Sequence, residues 1–308
     1  MYTYPWYHWI TFFYLYCFFG WIFESTYVSF KQHRFVNRGF LRLPMLPLYG
    51  TGAVMMLWVS LPVKDNLFLV YLFGVIAATI LEYVTGYVME RLFKMKYWDY
   101  SNQRFQLNGY ICLSSSIAWG FLTIFMTELI HKPIADFVLR LPLIVEFIFL
   151  TAVSVLFVAD AVKSTKEALD LGRALEAMTK LKAEAEEMQV QIALLKAETS
   201  QRVSEFRENA ADRMADLRND ASVRVAELRE DAALRFGELR EEAAARADWF
   251  HKEAALLDRL TNLTERHRQF STHISVYRRR LLRGNPSASS GKFSEALREL
   301  REALERRE

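Results

Sequence analysis
The sequence predicts an all-α protein, a polytopic membrane helix bundle of about five spans followed by a long C-terminal coiled-coil helix. Three observations carry this. Apolar runs near the length that crosses a hydrocarbon core, about 20 helical residues for roughly 30 Å, recur through the first half. Charge is segregated, with residues 1–162 holding only 11 of the 39 Lys and Arg and 9 of the 36 Asp and Glu. Beyond them, apolar residues step by three and four through an otherwise charged stretch, the pattern of a coiled-coil seam. The whole-chain figures, 52% hydrophobic and a formal net charge of +3, average two unlike halves and conceal both.

The apolar runs cover residues 6–30, 46–63, 67–89, 109–130 and 143–162. The first has no basic leader and no small-residue cleavage site, so it reads as a span of the mature chain and not a signal. The second is the shortest. Only residues 62–66 join it to the third, which requires an antiparallel hairpin across the bilayer. Orientation follows from the basic residues, which are retained on the cytoplasmic side. Lys31, Arg34, Arg38 and Arg42 follow the first run, and Arg91, Lys94, Lys96 and Arg104 follow the third. Both connections are therefore expected in the cytoplasm, the N-terminus outside, and the tail, opening with Lys163 and Lys166, inside.

Ionisable groups within an apolar bundle cost several kcal/mol and mark cavities or partners. Glu24 lies seven residues before Lys31 and Glu82 nine before Arg91, which sets both inward of the cytoplasmic charges. Glu82, Gly86 and Glu90 recur every four residues and share one helical stripe, with Gly86 open to a close neighbour. Asn37 and Arg38 in the first connection, Asp99 in the second, and Asn108 and Ser114 at the start of the fourth run complete a candidate polar site of Glu24, Asn37, Arg38, Glu82, Glu90, Asp99, Asn108 and Ser114. Two readings stay open, a binding site for an ion, lipid headgroup or polar substrate, and a structural ion-pair network such as Arg38 with Glu24 or Glu82. Glu128, Glu146 and Asp160 read as interfacial.

The segments Phe19-Gly20-Trp21-Ile22-Phe23-Glu24, Asn37-Arg38-Gly39-Phe40-Leu41, Leu81-Glu82-Tyr83, Trp98-Asp99-Tyr100-Ser101 and Asn108-Gly109 occur in this order. In this the first half of the chain resembles the ABC-transporter type IV permease (CmpB-like) family. The resemblance implies a permease. The chain carries no G-x-x-x-x-G-K-[ST] phosphate loop, so an ATPase, or another cytoplasmic protein, would be a separate chain. A membrane-embedded enzyme using the cytoplasmic-leaflet carboxylates is the alternative reading. No metal or cofactor is expected, since the histidines are scattered and Cys17 and Cys112 lie in apolar stretches. Near-neutral charge in both halves argues against nucleic acid.

The tail divides into a coiled coil over residues 163–283, a flexible linker over 284–291 and a short amphipathic helix over 292–308. Leu171, Ala174, Met178, Leu181, Ala185, Met188, Ile192 and Leu195 form an uninterrupted heptad seam. Phe206, Leu217, Leu228, Leu239 and Phe250 then recur every 11 residues, which favours straight or slightly right-handed packing. Heptads resume from Leu256 to Leu281. A single helix over 163–283 would reach roughly 180 Å and carry Arg278, Arg279, Arg280 and Arg283 far from the bilayer. Its narrow seam needs a partner, and a homo-oligomer is the expected one.

Overall fold
Residue character explains where each helix starts and stops. The computed structural model describes residues 4–219, 225–272 and 276–306. Helix α1, Trp6–Gln32, ends where His33 takes a left-handed conformation at φ 51° and returns its N–H to the carbonyl of Phe30. Helix α2, Pro47–Ser60, opens on a proline whose fixed φ suits a first helical position. Asn66 then caps α3, Leu67–Phe93, by accepting from the N–H groups of Phe68 and Leu69. Lys94 closes that helix at φ 61°.

The second cytoplasmic-type connection holds the only sheet among the described residues, a hairpin of β1, Gln106–Leu107, and β2, Ile111–Cys112. Its turn uses positive φ at Asn108 and Gly109, the pair that accepts this backbone most readily. The fourth apolar run was expected to be helical from residue 109. The hairpin delays the helix, and α4 covers Leu113–Phe125. A π turn, Met126–Ile130, leads into α5, His131–Leu139. Helix α6, Leu143–Asn219, then runs without a break from apolar into charged sequence. Helices α7, Val225–Thr272, α8, Val276–Gly284, and α9, Ser294–Glu305, follow.

Three helical stretches are long and apolar enough to cross a membrane, Leu67–Phe93, Leu113–Leu139 and Leu143–Asp212, and Pro47–Val63 is a shorter apolar helix. The chain divides into two compact units, Met1–Glu176 with His273–Glu308, and Ala177–Thr272. In the first, Phe12, Tyr16, Leu57, Met126 and Val138 form one buried core cluster that joins α1, α2, the π turn and α5. Here α8 lies against the loop after α1 and the first turns of α6 beyond residue 162. Arg278 donates to Asp170 Oδ2 at 2.8 Å, and Arg280 donates to the carbonyls of Leu41 and Phe40. These arginines are therefore not carried away on a rod, because the chain returns to the first unit.

Within the second unit, Trp249 Nε1 donates to the carbonyl of Leu195 at 3.4 Å and Lys196 pairs with Glu253 at 3.3 Å. Leu195 lies 24 residues before the end of α6 and Trp249 lies 24 after the start of α7, so the two helices are antiparallel arms of one hairpin. The heptad seam is the covered face of each arm: Met178 and Ile192 are buried, and Leu181, Ala185, Met188, Leu256, Leu260 and Leu263 are half-buried. The seam assigned to a second copy thus meets the other arm of the same chain. Of the 11-residue series, Phe206 and Phe250 are 37% and 62% exposed. The side chains of Leu217, Leu228 and Leu239 lie outside the described residues.

Cysteines placed at Lys196 and Glu253, bridged by a short thiol-reactive linker, should join within one chain and leave the denatured product at monomer mass. A product found only at dimer mass would contradict the intrachain hairpin.

Candidate functional site
Several carboxylates on the helices of the first unit are met by donors from a different element. Glu24, near the end of α1, accepts from Arg38 Nε at 3.3 Å and from Tyr49 Oη at 2.6 Å. Tyr49 sits directly over Gly20, and a Cβ there would overlap its ring and its own Cβ, so that glycine is what brings α2 close enough to deliver the hydroxyl. Asn37 is structural in its contacts. Its Oδ1 accepts from Trp21 Nε1 at 2.7 Å, and its amide donates to the carbonyl of Arg42 at 3.2 Å, which folds the loop back on α1.

Glu82, on α3, is 5% exposed. It accepts from Tyr100 Oη at 3.0 Å, Trp119 Nε1 at 2.9 Å and Ser115 Oγ at 3.4 Å. These donors are neutral, and among the described residues no cationic side chain forms an ion pair with it. Both Glu24 and Glu82 act electrostatically on Tyr100, which places this tyrosine between the two carboxylates. One turn further, Gly86 lets Tyr110 and Trp98 approach, since a Cβ would stand 3.1 and 3.3 Å from them. Tyr110 Oη reaches Glu90 at 2.5 Å, and Trp98 Nε1 donates to the Tyr110 carbonyl.

The remaining candidates gather on the second loop. Lys96 Nζ donates to the Asn108 carbonyl at 2.8 Å and stands 4.0 Å from both Glu90 and Asp99. Asn108 Nδ2 donates to Tyr83 Oη at 3.1 Å. Burial alone would raise the pKa of Asp99, but hydrogen bonds from Ser101 and Ser289 and the charge of Lys96 outweigh it and hold its carboxyl below the usual range. Ser114 differs from the rest. Its hydroxyl pairs with Cys112 Sγ at the start of α4.

Seven of the eight candidates thus fall into two groups, Glu24, Asn37 and Arg38 around the loop after α1 and Glu82, Glu90, Asp99 and Asn108 around the loop after α3, with Tyr100 bonded to Glu82. Residues 284–290 bridge the groups. Arg38 donates to the Gly284 carbonyl, Asn285 Oδ1 and Ser287 Oγ at 2.9–3.3 Å. Ser289 exchanges backbone bonds with Lys96, and its Oγ donates to Asp99 at 2.6 Å. Ser290 donates to the Lys94 carbonyl, and Arg301 of α9 braces the segment through the Ala288 carbonyl. The stretch expected as a flexible connector is therefore hydrogen-bonded along its length.

Trp119 and Ser287 to Ser290 were not expected to take part. The available signal was chemical: a buried Tyr or Trp retains a donor that must find an acceptor, and the carboxylates were the acceptors nearby. Two acidic residues expected at interfaces are buried. Asp160 accepts from the N–H groups of Arg42 and Leu43 at 2.8 and 2.9 Å, and Glu146 is bonded by His8 and Thr11. Backbone and neutral side-chain donors make such burial tolerable. Glu128 is exposed.

Comparison with known proteins gives one match. A family profile described as "Putative ABC-transporter type IV" covers residues 11–165, half of the 308-residue chain. No curated protein and no solved structure matches.

Trp119→Phe removes one donor from Glu82 while keeping an aromatic ring and should cost about 1–3 kcal/mol, the range for leaving a buried acceptor short of a bond. The midpoint of thermal unfolding in detergent should fall, while Trp58→Phe, at a side chain 71% exposed, leaves it unchanged. Equal midpoints for the two variants would contradict the role given to Trp119.

Proposed function
We propose, from the premise that this chain belongs to the ABC-transporter type IV family, that it is the membrane subunit of a transport system whose solute contacts the Glu24–Tyr100–Glu82 site. The observation that carries this reading is Glu82, a carboxylate almost wholly buried among neutral donors. A carboxyl so placed is an ionisable group inside the bundle that no ion pair among the described residues uses, which is the usual mark of a solute path.

The bundle is read as five spans, α1, α2, α3, α4 with α5, and the first part of α6, with the N-terminus outside and the tail in the cytoplasm. The hydrogen bonds of residues 284–290 to both loops support this. Segments that touch one another lie on one side of the membrane, so an even number of spans must separate each from the next. Two spans separate the first loop from the second, and two more separate the second from the tail.

Energy for transport comes from a separate ATPase chain. Five spans are few for a complete path, and the assembly is a homo-oligomer joined through the tail hairpins. A two-helix hairpin covers only one side of its seam, and the half-buried seam residues together with exposed Phe206 and Phe250 leave apolar surface that a second hairpin would cover as a four-helix bundle.

Uptake profiling of cells lacking the gene should reveal at least one solute whose cellular level changes. The wild-type chain should restore it, and Glu82→Gln, present at equal level and assembled to the same size, should not. Full restoration by Glu82→Gln would remove the site from the transport reading and leave it a structural network.

A further inference from the structure
A second set of buried polar groups occupies the end of the bundle opposite the cytoplasmic site, where α1 begins and α6 begins. Glu146, in the first turn of α6, has no exposed surface at all. Its Oε1 accepts from Thr11 Oγ1 at 2.6 Å and meets His8 Nδ1 at 2.8 Å. Its Oε2 is equally buried and has no hydrogen-bond partner among the described residues.

An ionised carboxylate with one bare oxygen in an apolar setting is costly, and a proton is the smallest ligand that removes the charge. His8 is placed to deliver it. Its side chain keeps 11% of its surface exposed while that of Glu146 keeps 1%, so the imidazole is the more open of the two. Aromatic rings enclose the pair: Tyr7 lies 4.5 Å from the His8 ring, and Tyr4 and Phe12 lie at 6.5 Å. His131 stands on the far side of Phe12 and Tyr4, held by Tyr16 Oη at 3.0 Å and Tyr4 Oη at 3.2 Å. It follows the π turn directly, a helix irregularity found at functional positions. The charged residues of α5, Lys132, Asp136 and Arg140, are exposed. The titratable groups around the pair are thus Tyr4, Tyr7, Tyr16 and His131.

The structure assigns His8 and Glu146 as a proton-binding couple in the half of the bundle remote from the cytoplasmic loops. One proton enters from water at imidazole Nε2. The Nδ1–H bond then breaks as an Oε1–H bond forms, and imidazolium and carboxylate become neutral imidazole and neutral carboxyl. Thr11 turns its hydroxyl to Oε1 in both states and positions the carboxyl for the exchange. The assignment does not depend on the transport reading, since it concerns different residues and a ligand that needs no path through the cytoplasmic site.

Infrared difference spectroscopy of the full chain in lipid bilayers, stepped from about pH 4 to about pH 9, covers the range in which imidazole and carboxyl groups exchange protons. A carboxyl C=O band should be present at the acid end, disappear as the pH rises, and be missing from Glu146→Gln. In His8→Gln the band's frequency should shift, because the carboxyl loses its imidazole partner. Should Glu146→Gln fail to accumulate, Thr11→Val keeps both partners and must shift the band's frequency by removing one donor. The assignment is overturned if no band depends on Glu146 at any pH, if His8→Gln leaves the band unmoved, or if the band is unmoved in Thr11→Val.

Discussion
A buried carboxylate must be met by hydrogen-bond donors, and in a bundle of apolar helices those donors have to come from another part of the chain. This constraint organises the first unit. Glu24 draws Arg38 and Tyr49 to α1, Glu82 draws Tyr100 and Trp119 to α3, Glu90 draws Tyr110, and Asp160 draws the backbone of Arg42 and Leu43 to α6. Each contact ties a loop or a neighbouring helix to the helix that carries the acid. The loops are consequently ordered by charges inside the bundle, and the polar site and the packing of the helices have the same cause.

The return of the C-terminal segment extends that arrangement. Arg38 serves Glu24 with one nitrogen and the segment with the others, and Asp99 accepts from both Ser101 and Ser289. Residues 284–290 therefore join the two loops to each other. Whatever displaces this segment also removes donors and acceptors from the groups nearest the carboxylates, which gives the C-terminal end of the chain a direct chemical connection to the proposed solute site.

Much of this was legible in the sequence where a simple period or a rare residue type carried the information. The apolar runs emerge largely as helices, and the heptad positions from Met178 to Leu195 and the amphipathic stripe of Phe293, Leu297, Leu300 and Leu304 as covered faces. Glu24 and Glu82 were conspicuous because charges are scarce there. What a period cannot express is the identity of the partner. The seam of α6 specifies an apolar neighbour equally well on a second copy or on α7, and only the contacts of Leu195 and Lys196 with Trp249 and Glu253 decide for the same chain. Glu146 was misjudged for a related reason: its place near the end of an apolar run suggested an interface, whereas His8 and Thr11 from a distant helix make burial possible. The donor Trp119 was likewise hidden among many aromatic residues, since nothing in its spacing relates it to Glu82.

The central claim, that buried carboxylates order the loops after α1 and α3, is tested most directly by hydrogen–deuterium exchange of the Glu82→Gln variant in lipid nanodiscs. Amides of residues 96–110, which include the bond from Tyr100 to the Gly109 carbonyl, should exchange faster than in the wild-type chain, while those of the α6–α7 hairpin remain unchanged. Identical exchange across residues 96–110 would contradict the account.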